Sequence, residues 1–255
     1  IPGIYGVDTR KLARSIREKG SRKAIITDSS TSKQKALKKL QEYEMPKDAV
    51  EKVSCKKRWY SRTANPKYNT VVIDCGIKLN MVKSLNGKGC NVTVVPYNTE
   101  AKEIENLKPD GIFLSNGPGN PKDAKEVIKL VKDLKGKYPI FGVGLGHQII
   151  SLAYGAKIDK LKFGHSGGNH PVINLETNKI EITTQSRCYT VKEDSVSKTK
   201  LKITHKNVLD NTVEGVECKK DKVFSVQFHP ESAPGPRDSG YLFDKFISLM
   251  EEFEK

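Results

Sequence analysis

No run of 18 apolar residues occurs in this 255-residue chain, so no segment is expected to span a membrane. No secretory leader is expected either. The opening Ile1-Pro2-Gly3 has neither a methionine nor a capped element and reads as that of a fragment or a processed chain. Cysteine is sparse, odd in number and scattered: Cys55, Cys75, Cys90, Cys188 and Cys218. No pair has the spacing of metal ligands, so neither a metal site nor a disulfide framework is expected. Free, mostly buried thiols fit a reducing compartment, and the cytoplasm is the expected location. Cys75 and Cys90 lie in or beside apolar runs and read as core residues. Internal repeats, low-complexity tracts and recognised nucleic-acid motifs are all missing.

Charge is abundant, and its distribution is uneven. The net charge is +15, and residues 1–67 hold 18 Lys and Arg against 7 Asp and Glu. Basic side chains bind nucleic acid by neutralising phosphates. Without an accompanying motif, a lysine-rich solvated face or a surface docked on an acidic partner is the simpler reading.

Residues 1–28 suit a loop, a helix capped by Asp8 or Thr9 and ended by Gly20, and a short strand at Ala24-Ile25-Ile26. A Lys-rich helix is expected over 31–44. Polar, irregular sequence follows to Asn65-Pro66, and a domain boundary is placed near residue 68, giving units 1–67 and 68–255. Beyond it the pattern changes. Apolar runs at Val71-Val72-Ile73, 92–95, 111–114 and 140–143 alternate with helical stretches at 79–88 and 122–135. That alternation predicts an α/β fold with a doubly wound, mostly parallel sheet. Strands are expected at 172–173, 180–184, 201–204 and 223–228, and a closing helix over 239–252.

Ligands of open α/β sheets bind beyond the carboxyl ends of the strands. Three motifs fall at such ends. Leu114-Ser115-Asn116-Gly117-Pro118-Gly119-Asn120-Pro121 follows a strand, and its glycines let backbone N–H groups approach a ligand, as an oxyanion hole requires. Gly142-Val143-Gly144-Leu145-Gly146-His147-Gln148 joins a strand to a helix over Ile149 to Tyr154. Its frame is that of a nucleophile elbow, in which the central side chain stands on a tight turn beside a helix N-terminus. The centre here is glycine. Val226-Gln227-Phe228-His229-Pro230-Glu231 follows the last strand, and pairs a general base, His229, with a carboxylate that orients it.

Together the three motifs resemble the class I glutamine amidotransferases, whose elbow reads Gly-Ile-Cys-Leu-Gly-His-Gln. Gly6-Val7-Asp8-Thr9-Arg10, Phe163 to Pro171 and Pro234-Gly235-Pro236 sharpen the resemblance to the small-subunit family of carbamoyl-phosphate synthetase. It covers nearly the whole chain, with residues 1 to about 60 similar to the end of that family's N-terminal domain. The resemblance implies a flavodoxin-like sheet and a reaction. A cysteine attacks the side-chain amide of glutamine, a glutamyl thioester forms, and ammonia passes to a large synthetase subunit that binds ATP and magnesium. No cofactor is expected on this chain itself. Carried over, Gly144 holds the nucleophile position, His229 is the base and Glu231 its partner. Gly117, Gly119 and the Leu145 N–H line the oxyanion hole and cleft, and Gln148 meets the amino-acid end of glutamine. His147 is expected to pack behind the elbow, and His165 and His170 to lie in a Gly-rich loop near the site.

Two departures stand out. Gly144 closes the thioester route, and glycine there relieves roughly 1–3 kcal/mol of backbone strain. A well-folded, hydrolytically inactive domain is therefore expected. Where the family has Gln-Asn-His-Gly and an aromatic residue, this chain has Gln185-Ser186-Arg187-Cys188-Tyr189. Ser186 and Cys188 are expected at the substrate pocket, Cys188 as a buried thiol that crowds it, and Arg187 as a charge at or beside the cleft. The expected roles are an amidotransferase partner of the large subunit or, as a rival, a ligand-binding pseudoenzyme or regulatory module. Nucleic-acid binding through residues 1–67 is a distant third.

Overall fold

The fold comes from a computed structural model that describes residues 3–253. Ile1 and Pro2, part of the expected opening loop, lie outside the described residues. Helix α1 (Thr9–Lys19) starts where Asp8 accepts a hydrogen bond from the Lys11 N–H at 2.8 Å. It ends at Gly20, whose φ of 83° a side chain would resist. Ser32 caps α2 (Lys33–Glu42) in the same way. Between residues 3 and 48 only Gly20 is buried. The strand expected at 24–26 does not form. Ile25 and Ile26 are exposed, and among the described residues no neighbouring segment supplies the ladder that three extended residues would need.

Helix α3 (Ala49–Val53) and strand β1 (Trp59–Ser61) then lead into the sheet. The remaining strands are β2 (Tyr68–Asp74), β3 (Cys90–Pro96), β4 (Gly111–Leu114), β5 (Ile140–Val143), β6 (Ile158–Asn174), β7 (Lys179–Val191), β8 (Lys202–Asn207), β9 (Val213–Cys218) and β10 (Val223–Val226). The helices between and after them are α4 (Leu79–Gly87), α5 (Ala101–Asn106), α6 (Lys125–Leu134), α7 (Leu145–Ala153), α8 (Glu193–Val196) and α9 (Tyr241–Phe253).

One ten-stranded sheet runs in the order β1-β3-β2-β4-β5-β10-β9-β7-β6-β8. Pairings along β3-β2-β4-β5-β10 are parallel. The others are antiparallel, so the mostly parallel sheet expected from sequence is parallel in only half its strands. From Thr70 onward in β2, and throughout β4, β5 and β10, the parallel strands are buried on both faces, which explains their apolar runs. Val71, Ile73, Ile112 and Leu114 pack with Ile104 of α5, Val127 and Val131 of α6 and Ile149 of α7. Val72, Phe113 and Phe141 point the other way, onto Met81 and Leu85 of α4 and Phe243 and Phe246 of α9. Phe141 stacks on Phe224 at 4.3 Å and meets Phe113 edge-on at 5.2 Å.

Strand β8 also pairs with β9, so β9, β7, β6 and β8 close into a small barrel. The Gly-rich segment around His165 is part of β6 and not a loop. It keeps its pairing with β7 through register shifts between Lys160 and His165 and between Gly167 and His170. Periodicity does not reveal α3, α5, β1 or β9, all of them six residues or shorter.

Candidate active site

Four neighbouring parallel strands, β2, β4, β5 and β10, deliver the site at their carboxyl ends. After β5 the chain turns at Gly144, with φ 60° and ψ −109°, and enters α7 at once. The turn is pinned on both sides: the Gly144 N–H donates to Val226 O at 2.9 Å, and the Gly146 N–H donates to Ser115 O at 3.1 Å. Crowding dictates its flanks. A Cβ on Gly146 would stand 2.5 Å from Leu114 O, and one on Gly142 would stand 2.5 Å from Ile150 Cδ1. At Gly144 there is room: an added Cβ would meet Asn116 Cβ at 3.4 Å and Gln227 O at 3.9 Å, ordinary contacts. What opposes a side chain at 144 is therefore the backbone conformation and not the space around it.

The turn after β4 lies against the elbow. A Cβ on Gly117 would fall 2.1 Å from Cys75 O and 2.8 Å from Leu145 Cδ2, so only glycine fits. The Leu145 N–H is in the first turn of α7, where backbone N–H groups lack intrahelical acceptors. Gly119 borders a surface hollow of about 220 Å³ lined by Ala49, Val50, Tyr97, Pro118 and Asp123. Neither Gly144 nor His229 lines it, so the hollow adjoins the site without containing its chemistry.

After β10, His229 Nδ1 lies 3.1 Å from Glu231 Oε1. A proton on Nδ1 directed at this carboxylate leaves Nε2 with a lone pair, as a general base requires. The Glu231 side chain is fully buried, and Lys78 places its ammonium 2.6 Å from the same oxygen. Burial alone would raise the Glu231 carboxyl, but its bonds to His229 and Lys78 outweigh it and hold the group below its ordinary value. Sequence reasoning does not find Lys78. It stands just before α4, held by its N–H to Asn116 Oδ1 at 3.3 Å, after a turn in which Asp74 accepts the Gly76 and Ile77 N–H groups. That Asx turn directly after a buried strand is the available signal.

His147 is buried behind the elbow, its Nδ1 2.9 Å from the Ser225 hydroxyl. Burial, with Arg187 and His205 nearby, pushes it down to about 3, so it is neutral. Gln148 is also buried. Its Nε2 donates to Tyr189 O at 3.0 Å and to Gln227 Oε1 at 2.8 Å.

Along β7 the side chains alternate, and this corrects two expectations. Gln185 and Arg187 are buried, whereas Ser186 and Cys188 are exposed on the opposite face. Cys188 is thus not a buried thiol. Arg187 is not a cleft charge either: its guanidinium lies inside the small barrel, 2.6 Å from Glu214 Oε1 and 2.9 Å from His165 Nδ1. His165 also faces Asp210 through Nε2 at 2.8 Å and stacks on His170 at 5.1 Å. Among the described residues, no group of His, Cys, Asp and Glu is arranged to hold a metal.

A glycine-centred turn, a His-carboxylate pair just beyond the neighbouring strand and a second glycine turn on the other side thus meet at the carboxyl ends of the parallel strands. The family described as glutamine amidotransferase class-I matches residues 71–249. The carbamoyl phosphate synthase small chain of Staphylococcus epidermidis is 47% identical over all 255 residues, which span 69% of that relative. The pyrimidine-specific small chain of Bacillus subtilis matches to the same extent, at 47% identity over 100% of this chain and 69% of its own. The chain belongs to the carbamoyl phosphate synthase small chain family. Among solved structures, a Thermoplasma acidophilum protein described as part of a GMP synthase superposes with a TM-score of 0.63. It is 21% identical and covers 73% of this chain and 95% of its own, which supports the amidotransferase fold.

Proposed function

We propose that this chain is the glutamine-site subunit of a carbamoyl-phosphate-forming synthetase whose own glutamine hydrolysis is switched off by glycine at the nucleophile position. The observation that carries the reading is the elbow itself. Gly144 has the strained φ 60°, ψ −109° of a nucleophile turn, with space for a Cβ, beside an assembled His229–Glu231 pair. With no sulfur there is nothing to attack the amide, although His229 keeps the geometry of a base. In this reading Gly117, Gly119 and the Leu145 N–H form the oxyanion side, and Gln148, Ser186 and Cys188 border the bound glutamine.

We read the parallel strand order β3-β2-β4-β5-β10, with helices packed on both faces, as a doubly wound, flavodoxin-like unit. We assign it, with the barrel, to an amidotransferase domain over 68–255, and residues 1–67 to the end of a preceding domain whose last strand, β1, completes the sheet's edge. The partner is the large, ATP- and magnesium-using subunit, held in an ammonia-using state. This chain carries no cofactor of its own and works in the cytoplasm. Among the described residues, no helix is long and apolar enough to cross a membrane.

The test is glutamine hydrolysis by the chain and by its Gly144→Cys variant, with the large subunit present. Glutamate release by the variant alone supports the reading. Release by neither, together with calorimetric binding of another small acid, transfers support to a ligand-binding pseudoenzyme.

A further inference from the structure

The small barrel contains an ion pair that the proposed chemistry does not use. The Arg187 side chain is 2% exposed and that of Glu214 is fully buried, with the guanidinium 2.6 Å from the carboxylate. The same guanidinium donates to Thr212 Oγ1 at 2.8 Å and Thr190 Oγ1 at 3.2 Å, and its Nη2 lies 2.9 Å from His165 Nδ1. Asn207 adds a longer bond to Glu214 at 3.4 Å. One planar fork thus ties β6, β7 and the start of β9 together in fixed directions. Neither charge can leave its partner without standing bare in the interior, so β7 and β9 cannot slide past each other.

These two strands also carry the backbone of the base. The His229 N–H donates to Thr184 O at 2.9 Å, three residues before Arg187 on β7. The Gln227 N–H donates to the carbonyl of Glu214 itself at 2.8 Å. The segment Gln227-Phe228-His229 is therefore hung at one end on the strand of the arginine and at the other on the glutamate. At the far end of the same stretch, Tyr189 O receives Gln148 from the elbow helix.

We propose that Arg187 is a positioning residue for His229: paired with Glu214, it fixes β7 against β9 and so sets where the imidazole stands relative to position 144. This rests on the reading of His229 as the site's base. Arg187 touches no substrate in this account. Its effect travels about 10 Å along β7 to Thr184.

The test uses the whole chain. The ring resonances of His229 are followed against pH by NMR in the native protein, in Arg187→Gln and in Arg187→Lys. The expected result is a His229 midpoint displaced by about half a pH unit or more in Arg187→Gln and only partly restored in Arg187→Lys, whose ammonium keeps the charge but not the planar fork. In the Gly144→Cys background, Arg187→Gln should lower kcat for glutamine about 10- to 100-fold and leave KM within about twofold. Should Arg187→Gln fail to fold, Arg187→Met/Glu214→Leu removes both charges together and carries the same measurement. A folded variant with a native His229 titration overturns the proposal and leaves the ion pair a stability element of the barrel. If Gly144→Cys hydrolyses no glutamine, the reading of the site falls, while the titration in the native chain still decides the role of Arg187.

Discussion

Restoring a side chain at residue 144 should make the protein less stable. At φ 60° and ψ −109° a residue with a Cβ occupies a sparsely populated region, at a cost of about 1–3 kcal/mol. Steric overlap adds little, because the nearest atom to the new Cβ is Asn116 Cβ at 3.4 Å. A domain of this size loses about 2–4 °C of melting temperature per kcal/mol, so a strain of about 2 kcal/mol lowers Tm by about 4–8 °C. Calorimetric or circular-dichroism melts of the native chain, Gly144→Ala and Gly144→Cys would measure it. Alanine carries the backbone strain without sulfur, and the two variants should fall together. An unchanged or higher Tm in Gly144→Ala refutes the strain reasoning. A fall in cysteine alone would trace the effect to the thiol.

Gly146→Ala should cost more than Gly144→Ala, about 3 kcal/mol, because its Cβ meets the Leu114 carbonyl oxygen at 2.5 Å; equal urea midpoints for the two would contradict this crowding. In the Gly144→Cys background, His229→Asn should lower glutamine turnover about 10²- to 10⁴-fold, and an unaffected rate would remove His229 from the chemistry. Acid should destabilise the fold between pH 6.5 and 4. His147 and His205 are pushed by burial from 6.5 down to about 3 and about 4, so the unfolded chain binds protons there that the folded chain refuses. Their stabilisation is complete above 6.5 and falls by about 2 kcal/mol each at pH 5, which denaturant titrations at pH 7.5 and 5 would register; equal stabilities would contradict neutral buried histidines.

Much of the parallel half is legible because its strands are buried on both faces and its helices carry a one-sided apolar stripe. Val71-Val72-Ile73 and the Val127, Leu130, Val131, Leu134 face of α6 are examples. The three motifs stand out because each follows such a strand. The short elements α3, α5, β1 and β9 offer too few residues for a period to show. Residues 24–26 have the composition of a strand but no strand partner among the described residues, and a strand exists only in its ladder. Lys78 reaches Glu231 across 153 positions of sequence, and no local pattern connects them.

The segment 185–189 illustrates a sharper limit. The family resemblance implies a cleft lining there, yet in a strand successive side chains leave by opposite faces, so at most every second residue can line one side. Which set does so depends on pairing register, and a slip of one residue exchanges them all. Here β7 pairs with an irregular β6 in which His165 opposes Arg187 and Ser166 opposes Ser186. That register sends Arg187 into the barrel, where Glu214 neutralises it, and leaves Cys188 outside. A buried Arg without a carboxylate would be prohibitive, so Glu214 is what makes this register tenable. The decisive clue is therefore a second charge 27 residues away on another strand. Its significance emerges only once β7 and β9 are brought together.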